Sequence, residues 1–271
     1  MKENKFNILL FKFTLVLGGG ERFSFVLGKE LIKKGCSVKF FSNYGPFVNN
    51  LKQEGFRAKK FYWGREVGAM RNIPEYFFLL PFNILRFFFI LLFGKDRHSS
   101  NIVFFQNVNE KIFATRLAKF LGYKVFWVEH LSIGPWLTEK ILRNSYVRKS
   151  HWADKILVVS NSIKDDLIEK LDVPAEKIDV IYNGVDLNEF HVFPQDIIER
   201  EKKNLGIYKE SKVICSVGRL HKEKGYDVLI KAFSDLCKRF DQSYLVLIGD
   251  GPERESLKKM VVSLGLDKRV L

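Results

Sequence analysis

Two stretches of the chain place glycine, which lets a backbone approach a ligand closely, beside cations that hold phosphate. The first is Val217-Gly218-Arg219-Leu220-His221-Lys222-Glu223-Lys224-Gly225, which follows an apolar run of strand length and precedes a helical pattern. Arg219 just past the strand end and Lys224 in the same loop can converge on one diphosphate, the arginine through a forked pair of donors and the lysine as a mobile point charge. Taken alone, the same loop also reads as solvated surface charge. The second stretch, Gly18-Gly19-Gly20-Glu21, lies between the first strand and the first helix. Glycines there admit close approach of a backbone or ligand, and the new helix offers unpaired N–H groups to an anion. Its spacing is neither the GxGxxG dinucleotide fingerprint nor a phosphate loop ending in Gly-Lys-Ser/Thr. A further turn, Gly249-Asp250-Gly251-Pro252, joins a strand to a helix and by itself is as readily a connection as a ligand site.

The elements that position these loops alternate between apolar runs of strand length and helical stretches, the pattern of a parallel sheet covered by helices. Candidate strands are Asn7–Leu10, with Lys12 interrupting the apolar run, Ser37–Phe41, Ile102–Phe105, Lys124–Val128, Lys155–Val159 and Asp179–Tyr182. Helices are expected at Arg22–Lys34, Glu110–Leu121, Thr138–His151 and Ser162–Leu171, the last capped by Ser160 or Ser162 with Asp165 and Asp166 in its first turn. From Asn183 to Ser211 the rhythm breaks at Gly184, Pro194 and a dense run of charge, which predicts a change of domain. The expected organisation is an N-terminal domain over 1–192, a linker over 193–210 and a partial C-terminal domain over 211–271. In the latter, strands Val213–Val217 and Tyr244–Ile248 alternate with helices Tyr226–Phe240 and Glu253–Leu264, and a third strand begins at Val270.

Composition narrows the class. Hydrophobic residues make up 46% of the 271 and charged residues 28%, which predicts a folded α/β protein and excludes disorder. A net charge of +14 favours phosphates, nucleic acid or an anionic bilayer as partners. Cys36, Cys215 and Cys237 lack CxxC spacing and an even count, so reduced thiols in a cytosolic compartment are expected, with no metal or disulfide framework. No Ala-x-Ala-like cleavage site follows the apolar Phe6–Leu17 run, which disfavours a secretory signal.

Tyr76–Phe93 reads YFFLLPFNILRFFFILLF. Arg86 near its middle disfavours spanning, since a central charge costs about 3 kcal/mol on insertion scales. Two readings stay open: a core helix covering the sheet, and an interfacial helix with Arg71, Arg86, Lys95 and Arg97 meeting anionic head groups.

Together these segments resemble the retaining glycosyltransferases of family 4. The residues that carry the resemblance are Gly18-Gly19-Gly20-Glu21, Val128-Glu129-His130, Val158-Val159-Ser160-Asn161-Ser162 and Val180-Ile181-Tyr182-Asn183-Gly184-Val185-Asp186 with Phe190. Most specific are Ser216 to Phe233 and Leu247-Ile248-Gly249-Asp250-Gly251-Pro252-Glu253. The resemblance is specific from Ala153 to Gly251 and looser before that. It implies two Rossmann-like parallel-sheet domains in the GT-B arrangement, here with the second incomplete. A pair of glutamates that the family carries well beyond the Gly249–Glu253 turn is missing before Leu271, so the chain is expected to be an incomplete fragment, inactive on its own.

The implied reaction moves a sugar from a nucleotide-diphosphate sugar to a glycan or lipid-linked acceptor with retention at the anomeric carbon. Arg219 and Lys224 would stabilise charge growing on the diphosphate. His130 would donate a hydrogen bond to the sugar, and Gly18, Gly19, Gly20, Gly218, Gly249 and Gly251 would line the donor site. No cofactor and no metal are expected, as no Asp-x-Asp pair occurs. The expected place is the cytoplasm, with peripheral attachment to an anionic membrane. Rival readings are a sugar-nucleotide epimerase of the same arrangement, and a basic module that binds anionic membrane or nucleic acid. No RNP-like aromatic pair, zinc spacing or basic recognition helix supports nucleic acid specifically.

Overall fold

The computed structural model describes residues 5–14, 18–61, 73–131, 140–187 and 189–271, with only the helical backbone for 73–77, 79 and 80. Arg71, Thr138 and the end of the Phe6–Leu17 run lie outside the described residues. The chain divides into two compact units, Met1–Gly184 and Val185–Leu271.

The first unit alternates β1 (Phe6–Lys12), α1 (Gly19–Lys33), β2 (Ser37–Ser42), α2 (Gly45–Gln53), β3 (Arg57–Lys60), α3 (Ile73–Gly94) and β4 (Ser100–Phe105). It continues with α4 (Val108–Phe120), β5 (Lys124–Glu129), α5 (Lys140–Ser150), β6 (Lys155–Val158), α6 (Asn161–Leu171) and β7 (Ile178–Val180). The strands form one parallel sheet in the order β3-β2-β1-β4-β5-β6-β7. A sheet covered on both faces needs apolar residues on both, hence runs such as Ile8-Leu9-Leu10-Phe11, all buried. Ile8 and Leu10 pack with Phe40, Phe47 and Leu51 on the α1/α2 side. Leu9 and Phe11 pack with Phe87, Leu91, Trp127 and Tyr146 on the α3/α4/α5 side. Connections leave β1 toward one face and β4 toward the other, so the carboxyl ends of these adjacent strands open a crevice where a ligand can enter.

Several expectations are corrected. Lys12 does not interrupt the first strand: β1 runs through it, paired with Ser42 of β2. Of the two expected caps of α6 it is Ser160 that is found, accepting from the Ile163 N–H at 3.3 Å. Asp165 and Asp166 fall beyond the first turn of that helix, where Asp166 pairs with Lys170 at 2.5 Å. Two elements of this unit were not anticipated. β3 is a short charged edge strand, Arg-Ala-Lys-Lys, whose type blunts the edge against further pairing. α2 opens with Gly45-Pro46 and carries Asn49-Asn50, yet buries Phe47, Val48 and Leu51.

The second unit contains α7 (Gln195–Asn204), β8 (Lys212–Val217), a 3₁₀ turn at Lys222–Lys224, α8 (Tyr226–Cys237), β9 (Ser243–Ile248) and α9 (Arg254–Ser263). α7 occupies the stretch read as a linker, where Lys202 Nζ donates to the carbonyls of Lys209 and Ser211. β8 and β9 pair in parallel, and Val270 adds a parallel bridge to Leu245 where a third strand was expected. Leu220, Ile230, Phe233, Leu245 and Leu257 form the core. β8 remains largely exposed, including Val213, Ile214 and Val217.

Candidate functional site

At the crevice of the first unit, Gly18 caps α1 from an extended conformation. Its N–H donates to Glu21 Oε2 at 2.8 Å, while Glu21 Oε1 lies 3.6 Å from Lys12 Nζ. Glu21 therefore closes the turn and neutralises a lysine with which it is almost wholly buried. A Cβ on Gly20 would lie 2.9 Å from Lys12 Nζ and 4.0 Å from His130 Cδ2, so the absence of a side chain lets the helix start settle onto both. Gly19 has open space around it. The amides of this first turn have no partners within the helix and carry the positive end of its dipole.

His130 follows β5 and is partly buried. Its ring meets Phe23 edge to face at 4.7 Å, and Nε2 lies 3.4 Å from Gln106 Oε1, which also accepts from the Ser24 hydroxyl at 2.8 Å. Burial, then the nearby charges of Lys12 and Lys111, push its pKa down to about 3. The imidazole is thus neutral at physiological pH, a hydrogen-bonding group rather than a cation. Beneath it, fully buried Lys111 pairs with Glu129 at 2.6 Å and donates to the Val128 carbonyl at 2.7 Å. Tyr146 donates to the same Glu129 oxygen at 2.5 Å, and burial first, then Glu129, raise its pKa well above the ordinary phenol value. Sequence reasoning missed Lys12, Gln106, Lys111 and Tyr146. The available signal was a polar residue ending an apolar strand, as Lys12 ends β1, and Gln106 immediately following one.

In the second unit the loop after β8 is braced from below. Gly249 has φ +154°, and a Cβ there would lie 1.9 Å from the Gly218 carbonyl oxygen; one on Gly251 would lie 2.3 Å from that of Leu220. The two loops are stitched together by Gly218 N–H to Ile248 O, Leu220 N–H to Asp250 O and Glu253 N–H to Leu220 O. Gly249 and Gly251 thus act by letting backbones touch. Gly218 sits over the buried Tyr226, whose hydroxyl a Cβ would meet at 2.9 Å. Arg219 Nη2 donates to Glu223 Oε1 at 2.8 Å, and this hydrogen bond lowers the Glu223 pKa. Lys224 is exposed in the 3₁₀ turn, ahead of Gly225, whose φ of +66° reverses the chain into α8. Arg219 and Lys224 therefore share one short, backbone-braced loop, with Arg219 already engaged by Glu223. Among the described residues, no group of three His, Cys, Asp or Glu is placed to hold a metal ion.

Comparison with known proteins adds to this geometry. Residues 17–189 match the family model described as Glycosyltransferase Family 4, and residues 197–271 match Glycosyl transferases group 1. An uncharacterized glycosyltransferase of Methanocaldococcus jannaschii is 31% identical over 121 residues, 43% of this chain and 30% of that protein. D-inositol 3-phosphate glycosyltransferase of Corynebacterium kroppenstedtii is 33% identical over 108 residues, 40% of this chain and 24% of that protein. The aligned stretches thus span less than a third of these relatives. Among solved structures, Anabaena HepE in complex with UDP and glucose superposes with a TM-score of 0.72 at 20% identity, over 97% of this chain and 68% of HepE. A glycosyltransferase from Rickettsia africae gives 0.73 at 22%, over 99% of this chain and 68% of that one. These likenesses show the GT-B fold, two Rossmann-like α/β domains with the smaller sheet in the C-terminal one.

Proposed function

The chain belongs to glycosyltransferase family 4, and from that premise we propose that it serves transfer of a sugar from a nucleotide-diphosphate sugar to a hydroxyl of a glycan or lipid-linked acceptor, with retention. The observation that carries the donor side is the loop 217–225, which holds Arg219 and Lys224 and whose backbone on either side of Arg219 is braced by Gly249 and Gly251. Breaking the glycosidic bond leaves negative charge on the diphosphate, and two cations on a rigid loop favour that charge more than the ground state. Glu223 holds Arg219 until a diphosphate competes for it. In the first unit, neutral His130 beside the amides of α1 suits a sugar hydroxyl, which needs a hydrogen-bond partner rather than a counter-charge. HepE was solved with UDP and glucose, which makes UDP-glucose the first donor to try.

Arg219→Ala and Lys224→Ala in the enzyme should each lower turnover at least ~10-fold, about 1.4 kcal/mol of transition-state stabilisation. Steady-state rates with radiolabelled donor, and the anomeric configuration of the product by NMR, measure this. Near-normal turnover in both variants removes the assigned roles, and an inverted product removes retention.

A further inference from the structure

α3 is apolar around most of its circumference but packs on the sheet through one side only. Asn83, Phe87 and Leu91 are buried against the core. Phe78, Phe82, Leu85, Phe89, Leu92 and Phe93 are all exposed, Phe78 by 75% and Phe93 by 76%. At about 100° per residue these six fall within an arc of about 100° opposite the buried side. Isolated apolar residues on a surface need no explanation; a continuous aromatic stripe along a 22-residue helix does.

Its surroundings are basic. Side chains alternate across a strand, so Lys39, Arg57 and Lys59 project to the same face of the sheet as Phe41 and Phe61, the face that α3 covers. With Phe89, Ile90 and Phe93 they line a groove of about 510 Å³ at the sheet edge. On the other flank α4 packs between α3 and α5. There the Arg116 guanidinium lies 5.0 Å from the ring centroid of Trp152. Burial and the charges of Arg116 and Arg148 lower the pKa of Lys149, so cations are crowded on this flank as well. From Phe78 to Phe93 the sequence holds no acidic residue.

We propose that the exposed stripe of α3, with Lys39, Arg57 and Lys59 beside it, docks on the surface of an anionic lipid bilayer. Aromatic side chains enter the boundary between head groups and acyl chains, while the cations meet lipid phosphates. The helix lies in the interface and does not cross it: its other side is committed to the core, and no described helix is long and apolar enough to span a membrane. A second copy of the chain is the weaker occupant, because two stripes meeting face to face would also oppose the same cations. The surface acts independently of donor chemistry, so binding is measured without any nucleotide sugar.

The experiment is co-flotation of the intact protein with vesicles of phosphatidylcholine alone and of phosphatidylcholine mixed with phosphatidylglycerol. The protein should float with the mixed vesicles and stay below with the neutral ones, and added salt should release it. Phe78→Ser combined with Phe82→Ser, and separately Lys39→Glu with Arg57→Glu and Lys59→Glu, should each cut partitioning at least ~10-fold. Circular dichroism of both variants should match the parent, since Phe78, Phe82, Arg57 and Lys59 are exposed and Lys39, half-buried on β2, lines the open groove. Recovery of the parent protein in the soluble fraction with both vesicle types overturns the proposal. So does unchanged floating of the charge variant, or a dimer in sedimentation that the Phe78/Phe82 variant dissolves while vesicle binding is absent.

Discussion

His130 and Arg219 are both polar residues following strands, and their surroundings give them opposite character. Arg219 stays exposed and charged, paired with Glu223 across one loop. His130 is neutral because burial and two lysines oppose its protonation. Its pKa of about 3 in the folded protein lies below the unfolded value near 6.5. Between those values the unfolded state binds more protons, so stability falls as pH drops from about 6.5 toward 3. His130→Gln should remove that part of the pH dependence, which urea unfolding across this range measures. Identical slopes for the two proteins would mean that His130 is not held neutral. Glycines 18–20, Gly218, Arg219, Lys224, Gly249 and Gly251 were all legible as candidates, since glycine and cations at strand ends are local signals. The pairing of Lys12 with Glu21 and of Lys111 with Glu129 was not, because nothing next to either lysine in the chain marks the carboxylate that folding brings to it.

At the scale of elements, the two glycines after β9 set how closely its loop approaches the loop after β8. Gly249→Ala adds a methyl 1.9 Å from a carbonyl oxygen and asks alanine for φ +154°, so one or both loops must move. A loss of about 1–3 kcal/mol in the second unit is expected, read from urea unfolding. Gly19→Ala, with nothing within 4 Å, should leave the stability of the first unit unchanged or slightly raised. Equal effects of the two substitutions would refute the loop contact. The central strands were legible because burial on both faces demands unbroken apolar runs. β3 was not, since an edge strand is stabilised by its ladder to β2, from Lys39↔Arg57 to Ser42↔Lys60, whatever its side chains. α2 was hidden by Gly45, Pro46 and two asparagines, although three apolar residues suffice to dock it.

For the molecule as a whole, the division at Gly184/Val185 gives each unit its own core. Residues 1–184 contain the seven-stranded sheet with both of its apolar layers. Made separately, they should unfold in one cooperative urea transition by far-UV circular dichroism. A non-cooperative loss of signal would show that the first unit depends on the second. What the amino-acid sequence determined by itself was the alternation of strands and helices, the glycine turns at strand ends and the cations beside them, because each is written in neighbouring residues. Only the tertiary structure decided which face α3 turns outward, which lysines are buried against carboxylates, that His130 is neutral and that Gly249 lies against Gly218. Those properties come from groups far apart in the chain, and their energies depend on the distance and burial that folding alone creates.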